Sequence, residues 1–414
     1  MEPLLWLLLP VAAASGWFMA SRKYTKSTSG FSVPKFSNSK YTKGSAKDSE
    51  SSKSYANQCI QGLNYLLSEQ SDKAIQLLVE MVDIDEDTVE THLVLGSLFR
   101  RRGEVDRAIR IHQNVIARPS LSVEQRNAAM LQLGIDYLKS GLLDRAEAIL
   151  LQLADSGSGN PEVYRYLRNL YEQEKEWETA VKMAKLLQKS CKVPQHSRIA
   201  HYYCELVEQC VRSKKMDLAN STVKRALASD PECIRAHIQA GDISAAQGNG
   251  KAAIKHFRVA LEKDRNFSPI VLKHLHDLFR KKDLLPQFPA FVHEYADYRH
   301  DAAARFFLIK THLALGDTEE VDELLHEELS REEASPYIIK SYLEKMRDTT
   351  KGEIQASFEA LGRVLDSRLS SNMACHCTHC GFESNTVFWQ CPGCQSWGSV
   401  RPYQNPLEYT WLDA

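Results

Sequence analysis

The chain has 414 residues, 43% of them hydrophobic, with 52 basic and 53 acidic side chains and a formal net charge of −1. That length holds two or three domains, and the near-neutral charge excludes a general nucleic-acid binder, so no nucleic-acid partner is expected. The average hides an asymmetry: residues 21–54 carry eight Lys/Arg against two acids, whereas residues 55–414 carry 44 against 50.

After Met1-Glu2-Pro3, Leu4–Ala20 is a run of seventeen residues without a charge. This is at the short limit for a membrane span. A cleaved signal peptide is the rival reading, because Ala12-Ala13-Ala14 resembles a cleavage site. Signal peptides carry a positive charge before the apolar run, and here the early charge is Glu2. Arg22, Lys23 and Lys26 come afterwards, which holds the C-terminal side in the cytoplasm. Residues 1–20 are therefore expected to form an uncleaved transmembrane anchor, with the N-terminus outside and the bulk of the chain cytoplasmic. Residues 21–54, rich in Ser, Lys and Thr, read as a disordered tether.

From residue 55 the chain repeats. Gly62, Gly96, Gly134 and Gly241 mark one register, and Ala74, Ala108, Ala146, Ala180, Ala219 and Ala253 each fall twelve residues beyond it. The spacing is 34 residues, stretched at two junctions to 38 and 39. This is the pattern of the tetratricopeptide repeat, in which small residues let two helices approach and large ones fill the space between repeats. Gly103, Gly141 and Gly248 fall in the turn between the two helices. Six clear repeats are predicted over 55–267, starting near 55, 89, 127, 161, 200 and 234. Degenerate helical repeats follow over 268–345, with a bend at Pro286 and Pro289, and then a connecting helix over 346–370.

The predicted fold is an all-α tetratricopeptide-repeat superhelix with an N-terminal transmembrane helix and a small C-terminal metal knuckle. Such arrays carry a concave groove lined by the first helix of each repeat. On this register Arg100, Arg165, Asn169, Glu172, His201, Glu208, Arg235 and Asp242 point inward and are candidates for contact with a protein partner.

The C-terminal residues 371–414 carry Cys377-Thr-His-Cys380 and, ten residues on, Cys391-Pro-Gly-Cys394. Two such knuckles bring four thiolates to one point, the ligand set of a tetrahedral zinc or iron. A pair of disulfides or a redox motif is the bland alternative. With Cys377, Cys380, Cys391 and Cys394 all used as ligands, no position stays open for substrate, so one structural metal ion is expected. His376 and His379 flank the cluster, and Cys375 is a spare thiol. Phe382, Phe388, Trp389 and Trp397 are expected to supply most of the small domain's core. The other five cysteines, Cys59, Cys191, Cys204, Cys210 and Cys233, show no framework spacing and fit free thiols in a reducing compartment.

No Walker-type phosphate loop, His-Glu-x-x-His or Gly-x-Ser-x-Gly motif occurs. The chain is accordingly expected not to be an enzyme, and no catalytic residue is assigned.

The order anchor, repeats, rubredoxin-like knuckle resembles the lipopolysaccharide assembly protein B family of Gram-negative bacteria. The resemblance is carried by residues 8–14 (LLPVAAA), 103–113 (GEVDRAIRIHQ), 201–206 (HYYCEL) and 389–394 (WQCPGC). It implies a single-pass inner-membrane protein with a periplasmic N-terminus. It also implies a regulatory adaptor that presents the UDP-acyl-N-acetylglucosamine deacetylase of lipopolysaccharide synthesis to a membrane-anchored AAA+ protease and meets a membrane sensor of lipopolysaccharide. The four quartet cysteines correspond to that family's metal ligands. The long tether and Cys375 depart from it. A scaffold for lipopolysaccharide synthesis and transport enzymes and an iron-based electron carrier remain as alternatives, and a homodimer stays open.

Overall fold

A computed structural model describes Tyr65, Lys73, Ile75, Leu77 and residues 89–403, apart from 158, 296–299, 332–333 and 370–373. The expected anchor and tether lie outside the described residues. No helix among the described residues is long and apolar enough to cross a membrane. Of the first repeat, Tyr65, Lys73, Ile75 and Leu77 are helical, and Ile75 is buried.

Between 89 and 369 the chain is a succession of helix pairs, each element packed on the next. They are α1 (Val89–Arg101) with α2 (Val105–Ile116), α3 (Val123–Ser140) with α4 (Leu143–Asp155), and α5 (Pro161–Gln173) with α6 (Trp177–Cys191). Next come α7 (His196–Arg212) with α8 (Met216–Ser229) and α9 (Ile234–Ala246) with α10 (Gly250–Lys263). The third and fifth repeats begin four residues earlier than the register placed them. At the third, Ser122 starts the helix with a capping box, its hydroxyl accepting from the Gln125 N–H while the Gln125 side chain accepts from the Ser122 N–H. Asn160 with Pro161 starts α5, and Asn249 caps α10.

The alanine register marks close packing within each pair: Ala108, Ala146, Ala180, Ala219 and Ala253 are all fully buried. Five residues before each lies a left-handed turn. Glycine holds it at 103, 141 and 248, but Lys175 (φ 60°) and Lys214 (φ 57°) take the same conformation. A side chain there costs about 1 kcal/mol. Turn position, not residue type, is what the repeat conserves.

The degenerate region also resolves into pairs: α11 (Ser268–Lys281) with α12 (Phe288–Tyr295), α13 (Ala302–Leu315) with α14 (Thr318–Leu329), and α15 (Pro336–Thr349) with α16 (Glu353–Leu369). Pro286 and Pro289 sit in a 3-10 turn (Leu285–Gln287) and in the first turn of α12, where a missing N–H costs nothing. The expected single connecting helix over 346–370 is instead the end of α15 and all of α16, separated at Gly352, whose φ is 76°. Asp301 caps α13 by accepting from the Ala303 and Ala304 N–H groups. The Arg305–Glu328 pair is buried between α13 and α14, at 2.5 Å.

The buried side chains form two main clusters, one running from Met130 to Ile243 and one from Ile238 to Ile338. After α16 the chain forms a three-stranded antiparallel sheet ordered β2-β1-β3, from β1 (Cys375–Cys377), β2 (Glu383–Ser384) and β3 (Val400–Pro402). This ribbon returns to the inner helices of the fourth to sixth repeats.

Candidate metal centre and its seat in the repeat groove

The two knuckles have the same backbone. Gly381 N–H donates to the Cys377 carbonyl and Gln395 N–H to that of Cys391, closing each turn at 2.9 and 2.8 Å. One residue on, Cys377 and Cys391 donate to the carbonyls of Phe382 and Ser396. The residue after each second cysteine is left-handed, Gly381 at φ 75° and Gln395 at φ 57°. Gly393 has a different task. A Cβ there would lie 3.5 Å from the Cys380 sulfur and 3.8 Å from that of Cys391.

These turns place the sulfurs of Cys377, Cys380, Cys391 and Cys394 within 4.8 Å of one another. The Cys377–Cys394 and Cys380–Cys391 pairs are each 3.7 Å apart. A tetrahedron of sulfurs about 2.3 Å from zinc has edges of about 3.8 Å. The spacing therefore fits one ion, and it is too long for disulfides. Hydrogen bonding from the Ser396 hydroxyl and backbone N–H draws the Cys394 thiol below its ordinary value, the direction a metal ligand needs. The His379 N–H points at the Cys377 sulfur (3.4 Å), and the Ser399 hydroxyl lies 3.3 Å from it. Against a metal thiolate both are donors. His376 stacks on Tyr403, and His379 approaches Ser396. Neither joins the four sulfurs.

The core of the ribbon differs from the expectation. It consists of Ala374, Cys375, Cys377, Cys391 and Val400 with Phe382 packed against them, so the spare thiol Cys375 is a core residue. Phe388 is 39% exposed and meets Phe382 edge-on at 6.3 Å, at the rim of this core. Trp389 and Trp397 face away from the ribbon because a domain this small has no interior for two indoles. The repeats supply one.

Trp397 stacks on His201 at 5.2 Å and meets Trp177 and Tyr202 edge-on at 6.0 and 5.8 Å. Its indole N–H donates to Glu172 at 2.6 Å, and the Gln390 amide donates to the same oxygen at 2.6 Å. Arg198 and the Tyr202 hydroxyl complete the donors to Glu172, at 3.0 and 2.7 Å. Trp389 stacks on Phe267 at 5.4 Å, with Arg235 above its ring at 5.7 Å. Arg401 reaches Asp264 at 3.4 Å. Burial, and then the charges of Arg235 and Arg198, push the His201 imidazole down to about 3, so it is neutral under its tryptophan.

The groove candidates divide. Asn169, Glu172, His201 and Arg235 gather around the ribbon. Glu208 pairs with Arg235 at 2.5 Å and Asp242 with His274 at 2.7 Å, beside a separate apolar cleft of about 610 Å³ that includes Val387 and Trp389. Arg100 lies elsewhere, pairing with Asp136 at 2.7 Å, and Asp136 in turn holds buried His112. Arg165 is exposed and pairs with Glu162. The register did not single out Arg168, Trp177, Tyr202 or Gln390. Arg168 was detectable, because it stands at the register position that is glycine in four other repeats.

Comparison with known proteins agrees with this architecture. Residues 376–402 match the family described as rubredoxin metal binding domain, and residues 91–124 and 211–267 match tetratricopeptide repeats. Lipopolysaccharide assembly protein B of Escherichia coli K12 is 32% identical over 402 residues, 97% of this chain and 98% of its own. The chain belongs to the lipopolysaccharide assembly protein B family. The family's Haemophilus influenzae member is 28% identical over 413 residues, 98% of this chain and 99% of its own. Among solved structures, MamA covers 44% of the chain at 22% identity with a TM-score of 0.32, a superposition too loose to bear on function. Membership fits the four-sulfur site, which holds one structural ion, zinc or iron, in a mostly helical repeat protein.

Proposed function

We propose that the chain is a regulatory adaptor of lipopolysaccharide biosynthesis at the bacterial inner membrane. It presents the UDP-acyl-N-acetylglucosamine deacetylase to a membrane-anchored AAA+ protease, and a membrane sensor of lipopolysaccharide level sets how often it does so. The observation that carries this reading is the ribbon locked across the fourth to sixth repeats through Glu172, His201 and Arg235. It gives one fixed surface built from two modules, in a chain related along almost its whole length to proteins named for lipopolysaccharide assembly. A fixed surface displays a client without adding catalysis, and Glu172, His201 and Arg235 hold its two modules in place.

The run Leu4–Ala20 serves as the anchor in this reading, with residues 21–54 as the tether. Tethering adaptor and protease to one membrane raises their effective concentration, which a freely diffusing binder cannot do. The half-life of the deacetylase after depletion of this protein is the test. A several-fold longer half-life, seen only when the protease is present, supports the adaptor. An unchanged half-life removes it.

The relatives' name, an assembly protein, favours a second reading, a membrane scaffold that gathers synthesis and transport enzymes. In that case depletion leaves deacetylase turnover unchanged and disperses enzymes that otherwise co-purify with the repeats.

A further inference from the structure

In the repeats whose register position is glycine, the residue sixteen places on is large: Gly96 faces the His112 ring, Gly134 faces Leu150 and Gly241 faces Phe257. The fourth repeat inverts the pair. Its register position is Arg168, and sixteen places on is Ala184, fully buried. A long cation thus occupies an interior that its neighbours fill with apolar or aromatic groups.

Arg168 is 7% exposed, and among the described residues it forms no ion pair. Its Nη1 donates to the Gln195 amide oxygen at 2.8 Å and its Nη2 to that of Asn169 at 2.7 Å, while Nε has no acceptor. Both acceptors are neutral. The nearby carboxylates are already engaged: Glu172 by Trp397, Gln390, Tyr202 and Arg198, and Glu205 by Arg235 at 2.8 Å. A buried charge without a counter-ion is costly. Burial and then neighbouring Arg198 lower the guanidinium's affinity for its proton, and the Glu172 carboxylate nearby, already paired with Arg198, offsets only part of this.

Arg168 lines a cavity of about 600 Å³ between the repeats and the ribbon, within the size range of small-ligand sites. Lys175 and Arg198 share the repeat wall, and Gln390, Gln395 and Ser396 form part of the ribbon wall. Arg168 and Lys175 face this space with no ion pair among the described residues; Arg198 is paired with Glu172, Glu205 with Arg235, and the Cys391 and Cys394 sulfurs on the ribbon wall belong to the metal site. We propose that the cavity binds a small phosphate-bearing anion, with Arg168 as its principal charge partner. The Asn169 amide, which lines the cavity, turns from acceptor on Arg168 to donor on the anion, Gln195 keeps its hold on Nη1, and the guanidinium takes the phosphate through its Nε and Nη2 N–H groups. Because the ribbon supplies one wall, the site exists only while the metal knuckle is folded and seated.

This proposal does not depend on the adaptor reading. The test uses the full chain, metal-loaded, titrated with inorganic pyrophosphate at constant ionic strength. Calorimetry and the emission of Trp177 and Trp397, which line the cavity, report binding. The expected result is saturable binding in the millimolar range or tighter, weakened roughly tenfold or more by Arg168→Gln. That variant keeps its metal and unfolds no earlier than the parent, since it removes an unpaired buried charge. Lys175→Gln, on an exposed turn, weakens binding by about threefold as a second variant that leaves the interior untouched. Absence of saturation at tens of millimolar, equal binding by Arg168→Gln, or tighter binding of succinate than of pyrophosphate would each overturn the proposal.

Discussion

The indole of Trp397 donates to the carboxylate of Glu172 at 2.6 Å, joining residues 225 positions apart in the chain. The same carboxylate accepts from Gln390, Tyr202 and Arg198, so one nearly buried side chain ties the ribbon to α5 and α7. Glu172→Ala leaves four donors without their acceptor and Arg198 without a partner. The expected cost is about 2–4 kcal/mol, read by denaturant unfolding. Ribbon tryptophan emission should shift red at denaturant concentrations where the helices remain intact. A single transition unchanged from the parent counts against this account of the seat.

Replacing Cys377 and Cys380 together with serine removes half the ligand set. The ribbon's core of Ala374, Cys375, Cys377, Cys391 and Val400 is too small to fold without an ion. The variant should contain no metal by elemental analysis, and protease should cleave beyond Leu369 while the helical array survives. If the adaptor reading holds, this variant no longer shortens the deacetylase half-life. A metal-free variant with full activity would refute the link between ion and function.

His201 gives the stability a defined pH dependence. Its imidazole is pushed from the usual 6.5 down to about 3 in the fold, and His276, buried beside Phe288 and Phe307, to about 4. Between these values and 6.5 the unfolded chain binds the extra protons. The contribution is therefore complete above 6.5 and is lost as the pH falls toward 3. For His201 alone this is about 2 kcal/mol between about pH 7 and about pH 5. Unfolding free energies of the parent and of His201→Phe at those two pH values check it. The parent should lose more than the variant by about that amount.

Gly241 and Gly250 make opposite demands. A Cβ on Gly241 would lie 2.5 Å from Cε1 of Phe257, a buried ring that cannot retreat, whereas nothing lies within 4 Å of one on Gly250. Gly241→Ala should destabilise the chain by about 1–3 kcal/mol through overpacking. Gly250→Ala should stay within about 0.5 kcal/mol of the parent. Thermal unfolding of the two variants separates them.

Much of this architecture is visible in the residue order. The alanines at 108, 146, 180, 219 and 253 reported helix contact because an interface this close admits nothing larger, and a spacing of two knuckles around ten residues leaves metal as the economical reading. The seat of the ribbon was not visible. It depends on pairings such as Gln390 with Glu172, 218 residues apart, and a periodic pattern carries no record of them. The indoles misled for the same reason: Trp389 and Trp397 look like core residues, and they are, but the core they complete belongs to the repeats. Turns at Lys175 and Lys214 escaped because the backbone pays a small strain that glycine would have announced.

Solenoids behave as springs: each repeat touches only its neighbours, and small changes at each junction add up to a change of pitch. In this chain that freedom is removed over part of the length. The ribbon packs Trp397 against one buried cluster and Val387 and Trp389 against the other, and holds Glu172 in α5 and Asp264 just beyond α10 at once. It is a splint laid across three repeats of the coil. Curvature between residues 161 and 267 is thus fixed by the knuckle, and bending of the array is confined to the helix pairs on either side of it.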